Sequence, residues 1–339
     1  MFPEHVPTTT AESVRRAEEA GYANVGKTNL HEFAYGTTSE NAHYGTVPNP
    51  LALGRIAGGS SGGSAAALAA HLADAALGTD SGGSIRIPAA CCGVVGFKPT
   101  FDLVPTGGCF PLAPSFDHVG PMARTVEECV ALLEALVPGL RRMKLESLEE
   151  VGVGVAWVDA AEPLVRARVA EAAAHFPRRR ELDWTRAEID AQFMREVADV
   201  HRELFAEHGE LYSENVAVKI ERCLTVSSGD VARAERARAE YHERSNDLLG
   251  DLDLLLTPTL ECVAPPTGVG DLALRGKLTR NTLPFNALGW PALALPCGPA
   301  DDDLPASVQL VGRPGSDALV LAAGELLAMS LRGFVPPLT

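Results

Sequence analysis

Two serines, Ser60 and Ser84, stand 24 residues apart, each inside a run of glycine and hydroxyl residues: GGSSGGS at 58–64 and GTDSGGSIR at 78–86. A serine hydroxyl attacks a carbonyl carbon only when a base removes its proton, and the oxygen that turns negative then needs N–H donors aimed at it. Glycines help supply them, because a turn without Cβ crowding lets successive backbone N–H groups converge. Ser84 is then the attacking hydroxyl, in a turn opened by Gly82 and Gly83. Ser60 takes its proton and hands its own to a neutral lysine, a shuttle that needs no imidazole.

Two other readings of the glycine runs compete with this one. GGSSGGS has the composition of a flexible linker, yet it continues directly into the Ala-rich SAAALAAHLADAAL, and linkers do not usually open buried helices. A phosphate cradle would use the same backbone donors. Neither run ends in the G-K-[ST] of a P-loop, and neither is a G-x-G-x-x-G dinucleotide turn. No G-x-S-x-G elbow is present, and none of the nine histidines sits in a recognisable Ser-His-Asp motif.

The chain that must position these serines has 339 residues, 46% hydrophobic and 22% charged, enough for a sizeable core. A net charge of −15 opposes any nucleic-acid partner, and the longest basic run, Arg178–Arg180, reads as a solvated loop. Seven cysteines without C-x-x-C spacing argue against a disulfide framework and against a zinc cluster, and fit reduced thiols of a cytoplasmic protein. The start MFPEHVPTTT lacks secretory-signal character and no run approaches about 20 apolar residues, so no membrane role is expected.

Periodicity predicts a helix after Thr10 that ends at Gly21, a short buried strand at YANVG, and a long irregular segment from Lys27 to Pro50. A helix follows with Ser64 as its N-cap, then a strand ending in ADAALGTD, a short helix in IRIPAACC and a strand at VVGF. Further on, a helix capped by Thr125, a strand at 151–158 and a helix over EPLVRARVAEAAAHF are expected. Three helices fall between 189 and 250, separated near Gly209 and Gly229. LDLLLTP, PALALPCG and SVQLVG read as strands, and a helix after Ser316 closes the pattern. The alternation indicates an α/β sheet. A single domain over 1–339 is the simplest organisation, with 189–250 a mainly helical cap or insertion.

Residues 58–100, GGSSGGSAAALAAHLADAALGTDSGGSIRIPAACCGVVGFKPT, resemble the signature of the amidase signature family, serine amidohydrolases with a Ser–cis-Ser–Lys triad. The similarity extends through VGKTNLHEFAYGTTSENAHYGTVPNP and PLAPSFDHVGPMARTVEE to LDLLLTPTL, PFNALGWPALALPCG and LPASVQLVGRP, and is weakest in 140–250. It implies a mixed central β-sheet covered by helices on both faces, with an N-terminally shortened fold. Ser84 becomes the acyl-forming nucleophile and Ser60 the bridging serine on a cis peptide bond. The N–H groups of Ser81, Gly82, Gly83 and Ser84 line the oxyanion hole, with Asp80, Arg86 and Ser61 as support. Asp80 and Arg86 hold the turn, an ordinary surface ion pair being the alternative for them.

The family's triad lysine lies in a V-K-D-like segment upstream of G-K-T-N, and the chain begins just short of that stretch. Its five lysines are at 27, 98, 144, 219 and 277. Lys27 matches the G-K-T-N lysine rather than the base and is only a weak substitute. The expected function is therefore cleavage of a non-peptide carboxamide bond through a serine acyl-enzyme, with activity reduced or lost in the chain as written. A late start or a fragment, a natural pseudoenzyme, and Lys27 acting as base all account for this pattern. Alternatives are a component resembling the A-type subunit of a tRNA-dependent amidotransferase, or a catalytically silent amidase-fold binding protein. A small-molecule amide is the expected partner, without cofactor or metal, with a homodimer as the oligomeric option. Phe110, Phe116 and Trp290 are candidate apolar pocket walls, against core packing for each.

Overall fold

The computed structural model describes residues 6–331. Eight strands form one sheet: β3 Ala75–Thr79, β4 Val95–Lys98, β5 Val119–Ala123, β6 Val153–Val155, β7 Arg179–Glu181, β8 Leu254–Pro258, β9 Ala292–Pro299 and β10 Pro305–Gly312. Their spatial order is β3-β5-β4-β9-β10-β8-β6-β7. Pairing is antiparallel from β3 through β8 and parallel where β6 meets β8 and β7, so the sheet is mixed. A separate hairpin, β1 Glu40–Asn41 with β2 Gly45–Thr46, punctuates the irregular 27–50 segment.

Side-chain alternation explains why both faces are covered. Leu254 and Leu256 of β8, Leu293 and Leu295 of β9, and Val308 and Leu310 of β10 enter one core with α4 Val126–Leu136, α5 Pro163–Ala174 and α11 Asp317–Ser330. Their neighbours Leu255, Ala292, Ala294 and Val311 join cores on the opposite face. There α2 Gly62–Ala69, α3 Arg86–Cys92, α8 Ser228–Leu249 and α10 Leu283–Ala287 supply the cover. Gln309 and Thr257 alternate with the first set and are fully buried. They place polar groups beneath this second layer.

The N-terminal helix is α1 Glu12–Glu19, and the 189–250 stretch folds as α6 Asp190–His208, α7 Glu214–Leu224 and α8, followed by α9 Asp271–Thr279. Helices α6 and α7 build a core with Tyr35, Leu112, Ala113 and Phe116. Thr125 caps α4 through a reciprocal capping box with Glu128.

Two local expectations change. YANVG is not a strand: residues 22–26 pair with no neighbour, and Val25 is 81% exposed. An isolated extended segment has no ladder to satisfy its backbone. Ser64 is not the N-cap of α2. That helix starts three residues earlier, after Ser61, while the Ser64 hydroxyl donates to the Leu77 carbonyl at 3.0 Å and lies 3.1 Å from Thr28 Oγ1. It ties α2 to β3.

Candidate active site

Strand β3 stops at Thr79 and α3 starts at Arg86, so 80–85 is one tight turn. The Asp80 carboxylate folds back into it, accepting from the Gly83 N–H at 2.7 Å and the Ile85 N–H at 3.2 Å. Arg86 donates to both Asp80 oxygens at 3.0 Å. Its guanidinium also reaches Asn286 Oδ1 at 2.6 Å and Gln309 Oε1 at 3.2 Å. Neither Asp80 nor Arg86 has any exposed side chain, so the surface-pair alternative fails. Burial by itself would raise the Asp80 pKa, but the Arg86 charge and hydrogen bonds outweigh it and hold the carboxyl well below the usual carboxylate range.

Gly83 is required by this geometry. Its φ is +125°, and a Cβ there would fall 2.2 Å from Thr282 Oγ1. Thr282 Oγ1 itself donates to the Gly82 carbonyl at 2.6 Å. One oxyanion expectation is corrected here: the Gly83 N–H is taken up by Asp80. Among the described residues, the N–H groups of Ser81, Gly82 and Ser84 donate to no protein acceptor.

The Gly59–Ser60 peptide is cis. Gly59 packs directly on the backbone of Thr37 and Thr38. The Ser60 carbonyl accepts from the His31 N–H at 3.1 Å and from Ser39 Oγ at 3.0 Å. Behind them a buried ion pair pins the 35–39 turn. Lys219 Nζ lies 2.6 Å from Asp271 Oδ2 and also donates to the Tyr35 carbonyl, while Asp271 Oδ1 accepts from the Thr37 N–H at 2.5 Å and the Thr37 hydroxyl at 2.7 Å.

The two glycine runs meet where the Ser61 N–H donates to the Ser84 carbonyl at 3.2 Å. Ser61 Oγ bridges to the end of β3, bonded to the Thr79 N–H at 3.2 Å and carbonyl at 3.3 Å. The two candidate hydroxyls do not hydrogen-bond each other. Ser60 Oγ is buried without a partner among the described residues, and Ser84, 8% exposed, has no side-chain hydrogen bond there. No lysine amine among the described residues bonds either hydroxyl. Lys27 is exposed; Lys98 donates to Pro99 O and to His118 Nε2 at 3.2 Å; Lys277 pairs with Glu162.

A small cleft opens beside the turn, lined by Ala34, Thr79, Ser81 and residues between Thr106 and Val119. Asp117 shapes it, accepting from Ser81 Oγ at 2.6 Å and from the backbone of Leu112 at 2.9 Å. Of the expected walls only Phe110, 55% exposed, lines this cleft. Phe116 and Trp290 are fully buried in core clusters, Phe116 against α6 and α7 and Trp290 between helices and sheet. Sequence reasoning does not single out Asn286, Gln309, Thr282, His118 or Asp117. For the two amides the available signal is a lone polar residue inside an apolar run, as in PFNALGW and SVQLVG, which must find a buried partner.

A model of the Amidase family matches residues 1–143 and 140–321. AtzE of Pseudomonas sp. (strain ADP), which belongs to a 1-carboxybiuret hydrolase, is 36% identical over 93% of this chain and 75% of that protein. The chain belongs to the amidase signature family. The A-type subunit of glutamyl-tRNA(Gln) amidotransferase from Haloarcula marismortui, another relative, is 32% identical over 97% of this chain and 90% of its own. The crystal structure of an amidase superposes with a TM-score of 0.86 at 34% identity, covering 96% of this chain and 79% of that one. The mixed sheet flanked by helices is the fold of these amidases, and the chain is an amidase-family hydrolase by descent. Among the described residues no helix is long and apolar enough to cross a membrane.

Proposed function

We propose that this chain cleaves a carboxamide C–N bond through an acyl-enzyme on Ser84. The observation that carries the reading is the 80–86 turn. Among the described residues it leaves the N–H groups of Ser81, Gly82 and Ser84, in the same turn as the Ser84 hydroxyl, without a protein acceptor, while a buried Asp80–Arg86 pair fixes the backbone. The Ser84 oxygen attacks the amide carbon, the C=O electron pair moves onto oxygen, and the N–H groups of Ser81, Gly82 and Ser84 receive that charge. The proton passes to Ser60, whose own proton goes to a base, and returns to the departing nitrogen as the C–N bond breaks. Water then hydrolyses the ester and regenerates Ser84. Seven unpaired cysteines suit a reducing, cytoplasmic setting.

A fluorophosphonate probe tests the reading. Labelling at Ser84 that is abolished in Ser84→Ala and strongly slowed in Ser60→Ala is the expected result. Lys27→Ala leaves labelling unchanged, since Lys27 is exposed and bonds neither serine. Labelling retained in Ser84→Ala sinks the assignment. A second reading, glutamine-amide hydrolysis within an amidotransferase assembly, is favoured by the 32% identity to the haloarchaeal amidotransferase chain. Glutamine-dependent ammonia release by the chain with added partner proteins of such an assembly separates the two.

A further inference from the structure

The cleft beside Ser81 has a one-sided chemistry. Phe110, Pro111, Leu112, Pro114 and Val119 give it an apolar wall. Phe110 is backed by further rings, with Phe33 at 5.2 Å and the buried His201 at 5.7 Å between ring centroids. The hydroxyls of Thr79, Ser81 and Thr106 supply its uncharged polar atoms.

Among the described residues Asp117 is the one charged side chain of the lining, and no lysine or arginine belongs to it. His118, also in the lining, carries no positive charge in this arrangement. Its Nδ1 donates to the Phe116 carbonyl at 2.7 Å, and its Nε2 accepts from Lys98 Nζ at 3.2 Å. Burial and the Lys98 charge both keep the ring neutral. The nearby cations are committed elsewhere. Lys98 is fully buried behind His118, and Arg238 donates to the Ala287 carbonyl at 2.7 Å and to Ser115 Oγ at 2.7 Å.

A carboxylate placed in this cleft would lose its water, meet Asp117 and find no cation, whereas an uncharged ring or alkyl group gains apolar contact. We infer that the cleft selects uncharged amides with an apolar body of about aromatic size and rejects amides that carry a carboxylate. Glutamine, with its α-carboxylate, falls in the rejected class. The inference rests on the amidohydrolase reading through Ser81, which belongs both to the cleft lining and to the turn that carries Ser84.

Calorimetric binding to the whole chain tests it with a matched pair, benzamide and 4-carboxybenzamide, alongside the Thr106→Arg variant. Benzamide binds at least about tenfold more tightly than its carboxylate to the unmodified protein. Thr106→Arg, at an exposed loop position, narrows or reverses that ratio. Phe110→Ala weakens benzamide binding several-fold and serves as a second readout if the arginine variant misfolds. Equal or tighter binding of the carboxylate, or no benzamide binding, overturns the inference. Binding does not require Ser84 chemistry, so the two readings fail separately. Selective benzamide binding without fluorophosphonate labelling removes the hydrolase reading alone. Labelling with equal competition by both amides removes the selectivity alone.

Discussion

Asp80 and Arg86 meet through two 3.0 Å hydrogen bonds with no exposure on either side chain. The pair is buried because it replaces backbone structure: the carboxylate accepts two of the N–H groups that a six-residue turn between strand and helix leaves over, those of Gly83 and Ile85. Asn286 and Gln309, from α10 and β10, accept further guanidinium hydrogens. The candidate nucleophile is thereby tied to the centre of the sheet rather than to a surface loop.

Arg86→Met therefore leaves a buried carboxylate without its counter-charge. A loss of about 3–5 kcal/mol in unfolding free energy is expected, the range for breaking one side of a buried pair. Urea denaturation reads it. Asp80→Asn is milder for charge but withdraws one of the two acceptors from Gly83 and Ile85, so slower Ser84 labelling at intact fold is the expected signature. Wild-type labelling in Asp80→Asn would remove the positioning role.

Gly83→Ala puts a Cβ 2.2 Å from Thr282 Oγ1 at a φ of +125°, and the clash and the backbone conformation are both unfavourable. The strain alone is on the order of 1–3 kcal/mol. Because Thr282 also holds the Gly82 carbonyl, relief comes by moving the turn that presents Ser84. Ser84 labelling should fall by at least about tenfold while circular dichroism stays native. A fully labelled Gly83→Ala protein would show that the turn tolerates displacement.

Much of this is legible in the sequence, for stated reasons. Strands β8, β9 and β10 are apolar runs bounded by proline and glycine, and α4 announces itself through Thr125 and Glu128. Ser60 and Ser84 stand out because glycine-rich turns beside buried helices are destabilising without a use. What escapes is set by long-range contact. Asn286 reaches Asp80 across 206 positions and Gln309 reaches Arg86 across 223, distances no local pattern encodes. YANVG fails for the opposite reason: its composition suits a strand, but no neighbouring strand pairs with it. The base for Ser60 is not legible either, and none of the five lysines bonds its hydroxyl.

Asp271 is the joint between α9, the 35–39 turn and Lys219 of α7. Asp271→Ala strands the buried Lys219 ammonium, whose pKa burial has already lowered to about 8 despite Asp271. A destabilisation of about 3–5 kcal/mol follows. The double variant Asp271→Ala with Lys219→Met should recover part of it, because the unpaired charge is gone. A double variant no more stable than the single one would show that the Thr37 hydrogen bonds, rather than the charge pair, carry the effect.

Acid should weaken the fold in two separate windows. His31 and His201 are buried, and burial pushes each down to about 4 against a partial upward pull from Asp271 and Glu32 respectively. Unfolded histidines protonate near 6.5, so between about pH 6.5 and 4 the unfolded chain binds protons that the folded one refuses. Stability is full above that window, falls as pH drops through it by up to about 1.4 kcal/mol per pH unit for each ring, and levels off below the folded value. Asp271, held at about 2 by Lys219 and its other cationic neighbours against burial, acts only lower, from about pH 4 downward. Urea midpoints across about pH 7 to 3 resolve the windows. His201→Gln keeps a partner for the Tyr212 hydroxyl, 2.9 Å from Nδ1, and should reduce the slope between about pH 6.5 and 4 while leaving the lower window alone. A stability profile flat down to about pH 4 in the unmodified protein would mean these rings titrate normally and are reached by water.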